Sequence, residues 1–282
     1  MQAIQAKVSY RIPLVGGTTD YPEYYREYGA QSICCPIDKY LCVSIQKNNE
    51  GGINILSKAD LPWGTGLGSS GAFHSALVMA FAKSRKRKLS PLTVAKLAYE
   101  LETGIDPYAT GRQDSVACLF KGMSQIKYHR DESVSVHSIA IPAAWRKKLS
   151  DRLLLFDTGV RRRARDSIKD FLSPKSISVL HEIAKLPGLL MNAWKDGDMD
   201  FLGPALDLQE QYRSRLSPKC RSSRTDRLLG IVRKCGGGAR LTGAGIGCLL
   251  CYCPEEKQSE LRQKLGLKEI KFSILWQGAS RI

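Results

Sequence analysis

Three glycine-rich turns, and the carboxylates between them, are where this chain could do chemistry. The densest turn passes through Gly64, Gly66, Leu67, Gly68, Ser69, Ser70 and Gly71 and opens into a helical pattern over 72–83. Glycines let main-chain N–H groups turn inward without Cβ obstruction, and a helix start adds unpaired donors and the positive end of its dipole. Such a turn attracts phosphate, and the hydroxyls of Ser69 and Ser70 reinforce it. A structural turn uses the same residues, so its chemistry alone leaves both readings open. A second turn, Gly16-Gly17-Thr18-Thr19-Asp20, follows a mostly apolar run over 8–15, and its polar side chains can face a cleft. The third runs from Gly243 through Ala244, Gly245 and Ile246 to Gly247, ahead of an apolar strand pattern over 248–253.

Other residue types narrow the field. The nine cysteines are an odd number, scattered through strand-like runs at Cys34, Cys35, Cys42 and Cys118, which reads as reduced core packing in a cytoplasmic protein. Cys248, Cys251 and Cys253 have no second Cys/His pair at zinc spacing and lie among Leu249, Leu250 and Tyr252, the pattern of a buried strand. A formal charge of +16 suits anionic small substrates or a polyanion. The densest basic runs, 83–88 and 161–165, carry no interleaved aromatics and no zinc-finger, homeodomain or RNA-recognition signature. The first reads as a solvated helix end, and nucleic acid is not the expected partner. No run of eighteen apolar residues occurs, so no membrane contact is expected.

The elements that must position these groups follow from pattern. A strand over 8–15 enters the second turn; a short helix over 23–28 is closed by Gly29; one or two strands cover 31–47. A hairpin-like turn over 48–52 leads into a strand over 53–56. Ser90 before Pro91 predicts a capped helix over 91–102, and Arg112-Gln113-Asp114 opens another through Leu119. Strands are predicted within 124–141 and over 153–157, and helices between 165 and 247 with breaks at Pro174, Pro187-Gly188 and Pro204. A helix over 255–265 and a last strand over 269–276 follow. Strands and helices mix without a regular βαβ repeat, so the fold class is α+β, with halves expected at 1–150 and 151–282.

The wording of the turns adds to this reading. Pro62-Trp63-Gly64-Thr65-Gly66-Leu67-Gly68-Ser69-Ser70-Gly71-Ala72 resembles the central motif of the GHMP kinases. Arg11-Ile12-Pro13-Leu14-Val15-Gly16-Gly17-Thr18-Thr19-Asp20-Tyr21 resembles their first motif, and Leu241-Thr242-Gly243-Ala244-Gly245-Ile246-Gly247 their third. With Ile37-Asp38-Lys39-Tyr40 and Gly111-Arg112-Gln113-Asp114, the pattern is most similar to the heptose 7-phosphate kinase and sugar 1-kinase branch. The resemblance implies an N-terminal half like ribosomal protein S5 domain 2 that cradles ATP, a ferredoxin-like C-terminal half, and a sugar or sugar phosphate bound between them in a monomer or homodimer.

It also implies roles. Asp114 matches the general base on the acceptor hydroxyl, although a helix N-cap is its simpler reading. Arg11 matches the basic group beside that base, where a surface strand arginine is the alternative. Ser70 and Glu102 match the Mg²⁺ ligands, and the glycine loop matches the ATP phosphate site. Asp20 matches an acidic position that accepts hydrogen bonds from sugar hydroxyls, with Thr18 and Thr19 as its neighbours in the substrate site and Gly243 and Gly245 also on the substrate side. Thr158-Gly159 followed by Arg161 and Arg162 resembles a substrate-side segment, and a solvated charge run fits those arginines equally. About twenty residues separate Tyr40 from Leu61, which implies a reduced base pocket, and Ile246 and Cys248 stand where the family's third motif has glycine. Three alternatives follow: a catalytically silent sensor of sugar or nucleotide, a kinase of a homoserine- or mevalonate-like alcohol, and, on charge alone, a nucleic-acid-binding protein.

Overall fold

The computed structural model describes residues 3–106, 110–161, 165–244 and 246–276. In chain order its elements are β1 (Ile4–Val15), α1 (Pro22–Tyr28), β2 (Ala30–Lys47), β3 (Ile53–Ala59), α2 (Ser69–Ser84), α3 (Pro91–Ile105), α4 (Gln113–Ala117), β4 (Ser124–Tyr128), β5 (Val134–Ser138), α5 (Ala143–Arg152) and β6 (Leu153–Asp157). Then follow α6 (Arg165–Phe171), α7 (Ile177–Lys195), α8 (Leu202–Leu216), α9 (Ser223–Lys234), β7 (Gly238–Leu241), β8 (Cys248–Tyr252), α10 (Gln258–Leu265) and β9 (Lys268–Glu269).

Two sheets result. The first runs β1-β2-β4-β5 with β3 on the far half of β2, and every pairing in it is antiparallel. From Val8 to Val15, β1 is buried on both faces, because α2 covers the sheet while α7 and α8 close on its strand ends. The second sheet, ordered β7-β8-β6-β9, is also antiparallel. The chain visits these strands as β6, helices, β7, β8, α10, β9, which is the split-βαβ topology of a ferredoxin-like unit. After β9 the chain crosses back to the first sheet: Ile274 bridges Ile37, and Leu275 donates to Pro36 O at 3.0 Å.

Local chemistry explains most boundaries. Ser90 accepts from Thr93 N ahead of Pro91 and starts α3, and Gly29, at φ 66°, ends α1. Residues 31–47 fall within one long strand, the first of the two readings the pattern allowed. Strands β4 and β5 fall within 124–141 as the alternation implied, and between 142 and 152, where the pattern named no element, α5 forms, anchored by buried Leu149. Other expectations need correction. Pro187 does not break its helix: α7 continues through it, and the ring is buried with its Cγ 2.5 Å from where a Cβ on Gly16 would sit. Burial against the second glycine turn offsets the lost helical hydrogen bond. The last strand shrinks to two residues and the single bridge at Ile274.

Helix α8 packs on β7 through facing glycines: a Cβ on Gly238 would lie 1.9 Å from Gly203 O. Gly238→Ala is therefore expected to lower the unfolding free energy by about 1–3 kcal/mol, read as a reduced midpoint in urea at unchanged slope.

Candidate functional site

A cleft of about 690 Å³ opens between the two sheets, where the three glycine turns meet. Its floor depends on one close approach. Gly66 (φ 71°) leaves no room for a Cβ, which would stand 2.4 Å from the Thr242 carbonyl, and a Cβ on Gly247 would stand 2.2 Å from Thr65 O. Thr65 O accepts from Thr242 Oγ1 at 2.6 Å and from Cys248 N at 3.1 Å, so these two bonds pin the loop from the C-terminal side. Thr158 Oγ1 braces Gly247 O in turn. Ile246, at a position where glycine was expected, is buried, and the neighbouring Gly247 makes the close contact instead.

The loop then enters α2 through Gly68, in the left-handed region at φ 81°, with no side chain capping the helix. The first-turn amides of a 16-residue helix are thus left facing the cleft, beside Ser69 and Ser70. Leu67 does not line this cleft; its side chain is in the core and its carbonyl accepts from Arg11 N at 3.0 Å. Gly71 lies behind the wall, where a Cβ would meet the Asp114 main chain at 2.6 Å, so it sets how closely α2 and α4 approach.

Arg11 and Asp114 sit at the centre. A register shift in β1 between Ser9 and Arg11 re-aims the arginine, which is 3% exposed. Its Nε donates to Asp114 Oδ1 at 3.1 Å, Nη2 contacts the same oxygen, and Nη1 donates to Gly66 O at 2.7 Å. Burial works against this guanidinium's charge, but the Asp114 carboxylate outweighs it and the pKa ends above its ordinary value. Both simpler readings fail: Arg11 is not on the surface, and Asp114 caps no helix, since the N-cap of α4 is Arg112.

Asp20 lies one turn away, buried, accepting from Thr18 N at 3.0 Å and Gln113 N at 2.8 Å. It fits only because residue 111 is glycine, where a Cβ would fall 2.1 Å from Asp20 Oδ2. Burial nonetheless outweighs the two amides and raises the carboxyl to about 6. Thr18 holds a left-handed φ of 86°, rare for a β-branched residue, at the cleft wall. Thr19 turns inward, fully buried, with Oγ1 donating to Gly16 O at 2.8 Å.

Glu102 is 3% exposed, and its Oε2 has no hydrogen-bond partner among the described residues. His74 Nδ1 stands 3.6 Å from that oxygen and 3.0 Å from Ser70 O, which brings Glu102 and Ser70 to one corner. An orphaned carboxylate oxygen beside a serine and a phosphate-type turn fits a hard, oxygen-seeking cation such as Mg²⁺. Gly243 lines the cleft, whereas Gly245 and Arg162 lie outside the described residues. Arg161 also lines it but is held by Asp157 through a two-pronged pair at 2.8 and 2.7 Å. Of the basic run at 83–88, Lys83 donates to Gln5 O and the rest is exposed at the end of α2. Between Tyr40 and Leu61 the chain forms only the end of β2 and then β3, an edge strand exposed over most of its length.

Sequence reasoning passed over Trp63, half-exposed at the loop mouth, and Phe171 and Arg240, which reach the same cleft from the C-terminal half. Arg240 had one legible signal, a basic side chain one residue before a buried leucine on a strand entering a glycine turn.

Comparison with known proteins agrees with this geometry. Residues 37–122 match the GHMP kinases N terminal domain family. The chain carries a GHMP kinase N-terminal domain. A D-glycero-alpha-D-manno-heptose 7-phosphate kinase from Campylobacter jejuni is 22% identical over 89% of this chain and 89% of its own. A mevalonate kinase from Methanocaldococcus jannaschii is 26% identical over 78% of this chain and 67% of its own. Among solved structures, a D-glycero-D-manno-heptose 1-phosphate kinase from Bacteriodes thetaiotaomicron superposes with a TM-score of 0.79 at 16% identity, covering 98% of this chain and 97% of that one. The GHMP kinase fold therefore extends across both sheets. No helix among the described residues is long and apolar enough to cross a membrane.

The carboxyl of Asp20 yields a prediction about the stability of the fold. The folded chain holds this proton up to about pH 6, whereas an exposed aspartate releases it near 3.8. Its contribution to stability is thus greatest below pH 4 and falls as pH rises toward 6, by on the order of 3 kcal/mol. Asp20→Asn is expected to abolish that slope, measured as the difference between variant and wild-type unfolding free energies across pH 4–6.5.

Proposed function

We propose that this chain is an ATP- and Mg²⁺-dependent kinase that phosphorylates a hydroxyl, anomeric by resemblance, of a sugar or sugar phosphate. The observation that carries the reading is the position of Asp114, clamped by Arg11 at the mouth of the glycine turn that opens α2. The kinase relatives and the GHMP fold support the reaction class. We assign residues 1–150 to the nucleotide-binding half and 151–282 to the half that completes the substrate site.

Each residue then has a physical task. The amides of Gly66, Gly68 and Ser69 and the start of α2 hold the nucleotide phosphates. Trp63 offers an exposed aromatic face at the mouth of the loop, where the purine would lie on the side left open by the short β3. Ser70 and Glu102 would hold Mg²⁺, which supplies charge neutralisation between the phosphates. Asp20 and the Thr18 hydroxyl orient the acceptor by its other hydroxyls.

Asp114 takes the proton of the attacking hydroxyl as the oxygen bonds to the γ-phosphorus and the bond to the leaving diphosphate breaks. Arg11 holds that carboxylate in one orientation. Its Nη1 bond to Gly66 O ties the base to the phosphate loop, so donor and acceptor are positioned by one connected unit.

Asp114→Asn is expected to keep the fold and the affinity for nucleotide while lowering kcat by about 10²–10⁴ in a phosphate-transfer assay over a panel of sugars and sugar phosphates. Activity within a few-fold of wild type would remove the base from the mechanism. Gly66→Ala is expected to abolish nucleotide binding in an equilibrium titration, because the added methyl collides with the Thr242 carbonyl and reshapes the turn.

A further inference from the structure

Of the arginines in and behind the cleft wall, three have their charge answered. Arg11 is paired with Asp114, Arg161 with Asp157, and Arg213, behind the wall, with both oxygens of Glu210. Arg240 is the exception. It lines the cleft yet is 3% exposed, and no carboxylate among the described residues forms an ion pair with it. Two main-chain carbonyls hold it instead: Nη1 donates to Leu14 O at 3.0 Å, and Nε makes a long contact to Leu241 O at 3.4 Å. These acceptors fix the plane of the guanidinium and leave Nη2 without a partner among the described residues.

A buried cation with a free donor edge, on the wall of a substrate cleft, is costly unless an anion comes to it. Glu210 does not fill this need, since its oxygens already serve Arg213 and Leu241 N. Burial, and then the neighbouring charge of Arg213, press the Arg240 guanidinium down to about 9, as expected of a cation short of negative charge. A planar, pre-oriented guanidinium edge is the protein group best matched to a phosphate monoester.

We infer that Arg240 is the specificity-determining residue for an acceptor that already carries a phosphate, gripping that phosphate while its hydroxyl lies at Asp114. The inference narrows the acceptor class within the kinase reading and rests on it. Arg161, the obvious candidate from the basic run, is already committed to Asp157 and plays the lesser part. Arg240 reaches the cleft from β7 through the carbonyl of Leu14, which precedes the second glycine turn. The phosphate-reading group is therefore joined to the segment that carries Thr18 and Asp20.

The test separates anion binding from catalysis. Inorganic phosphate is titrated calorimetrically into the full chain saturated with Mg²⁺ and a non-hydrolysable ATP analogue, so that the glycine loop is occupied. Wild type is expected to bind phosphate, and Arg240→Met to bind it at least tenfold more weakly with analogue affinity unchanged. Arg240→Lys, which keeps the charge but not the fork, is expected to lose several-fold and decides the matter if the Met variant does not fold. In the transfer assay, Arg240→Met should raise KM for phosphorylated sugars far more than it lowers kcat, and should leave KM for unphosphorylated sugars unchanged. Equal phosphate affinity in wild type and variants, or no binding to the analogue-saturated wild type, overturns the assignment of Arg240. Failure of the kinase reading appears separately, as absence of transfer to any acceptor while phosphate binding persists.

Discussion

The closure of two glycine turns on each other is the constraint from which the rest of this site follows. Main chain meets main chain where Gly66 faces Thr242 and Gly247 faces Thr65, at separations that a single methyl group on either glycine would forbid. Thr65 O is then satisfied twice from the other side, by Thr242 Oγ1 and Cys248 N. A loop held this way keeps its amides turned outward into the cleft, since its carbonyls already have partners. The same contact joins the ferredoxin-like sheet to the loop that opens α2, so the cleft is a property of both halves together.

Buried charge is distributed around that contact in small, nearly neutral units. Arg11 and Asp114 form one, with Gly66 O as a third member. Arg213 and Glu210 form another, deeper between α8 and β7, with Leu241 N completing the set. Asp20 is answered only by amide dipoles, which do not repay its desolvation, and its carboxyl holds its proton unusually late. The neutral units fix geometry, while the under-compensated groups, Asp20 and Arg240, stand where a polar ligand would complete them.

The fold supports these groups by binding its own ends together. Segment 270–276 returns to β2, and Gly122 N donates to Leu275 O at 2.7 Å, fastening the connection between α4 and β4 just beyond the helix that bears Asp114. Helix α7 presses Pro187 against Gly16 and so stiffens the turn that carries Thr18 and Asp20. Both contacts are remote in sequence and near the chemistry in space, which is how a loop-built site gains the rigidity of a core.

Whatever depended on neighbours along the chain was legible in the residues themselves. The order of the glycine turns, the capped start of α3 at Ser90, the apolar runs of β6 and β8, and the resemblance carried by Gly-Leu-Gly-Ser-Ser are local patterns set by sterics and hydrogen bonds a few residues apart. They sufficed for the fold class, and they singled out Arg11, Asp20, Glu102 and Asp114, which the folded chain brings to one cleft. Long-range packing decided the rest. That Pro187 lies inside a helix follows from burial against Gly16, that Thr19 faces inward follows from its bond to Gly16 O, and that β9 is short follows from where its chain end finds a partner. The lack of an ion-paired carboxylate at Arg240 among the described residues is likewise a fact about residues up to 226 positions away, because a charge is paired or unpaired only once the folded chain has brought its neighbours within a few ångströms.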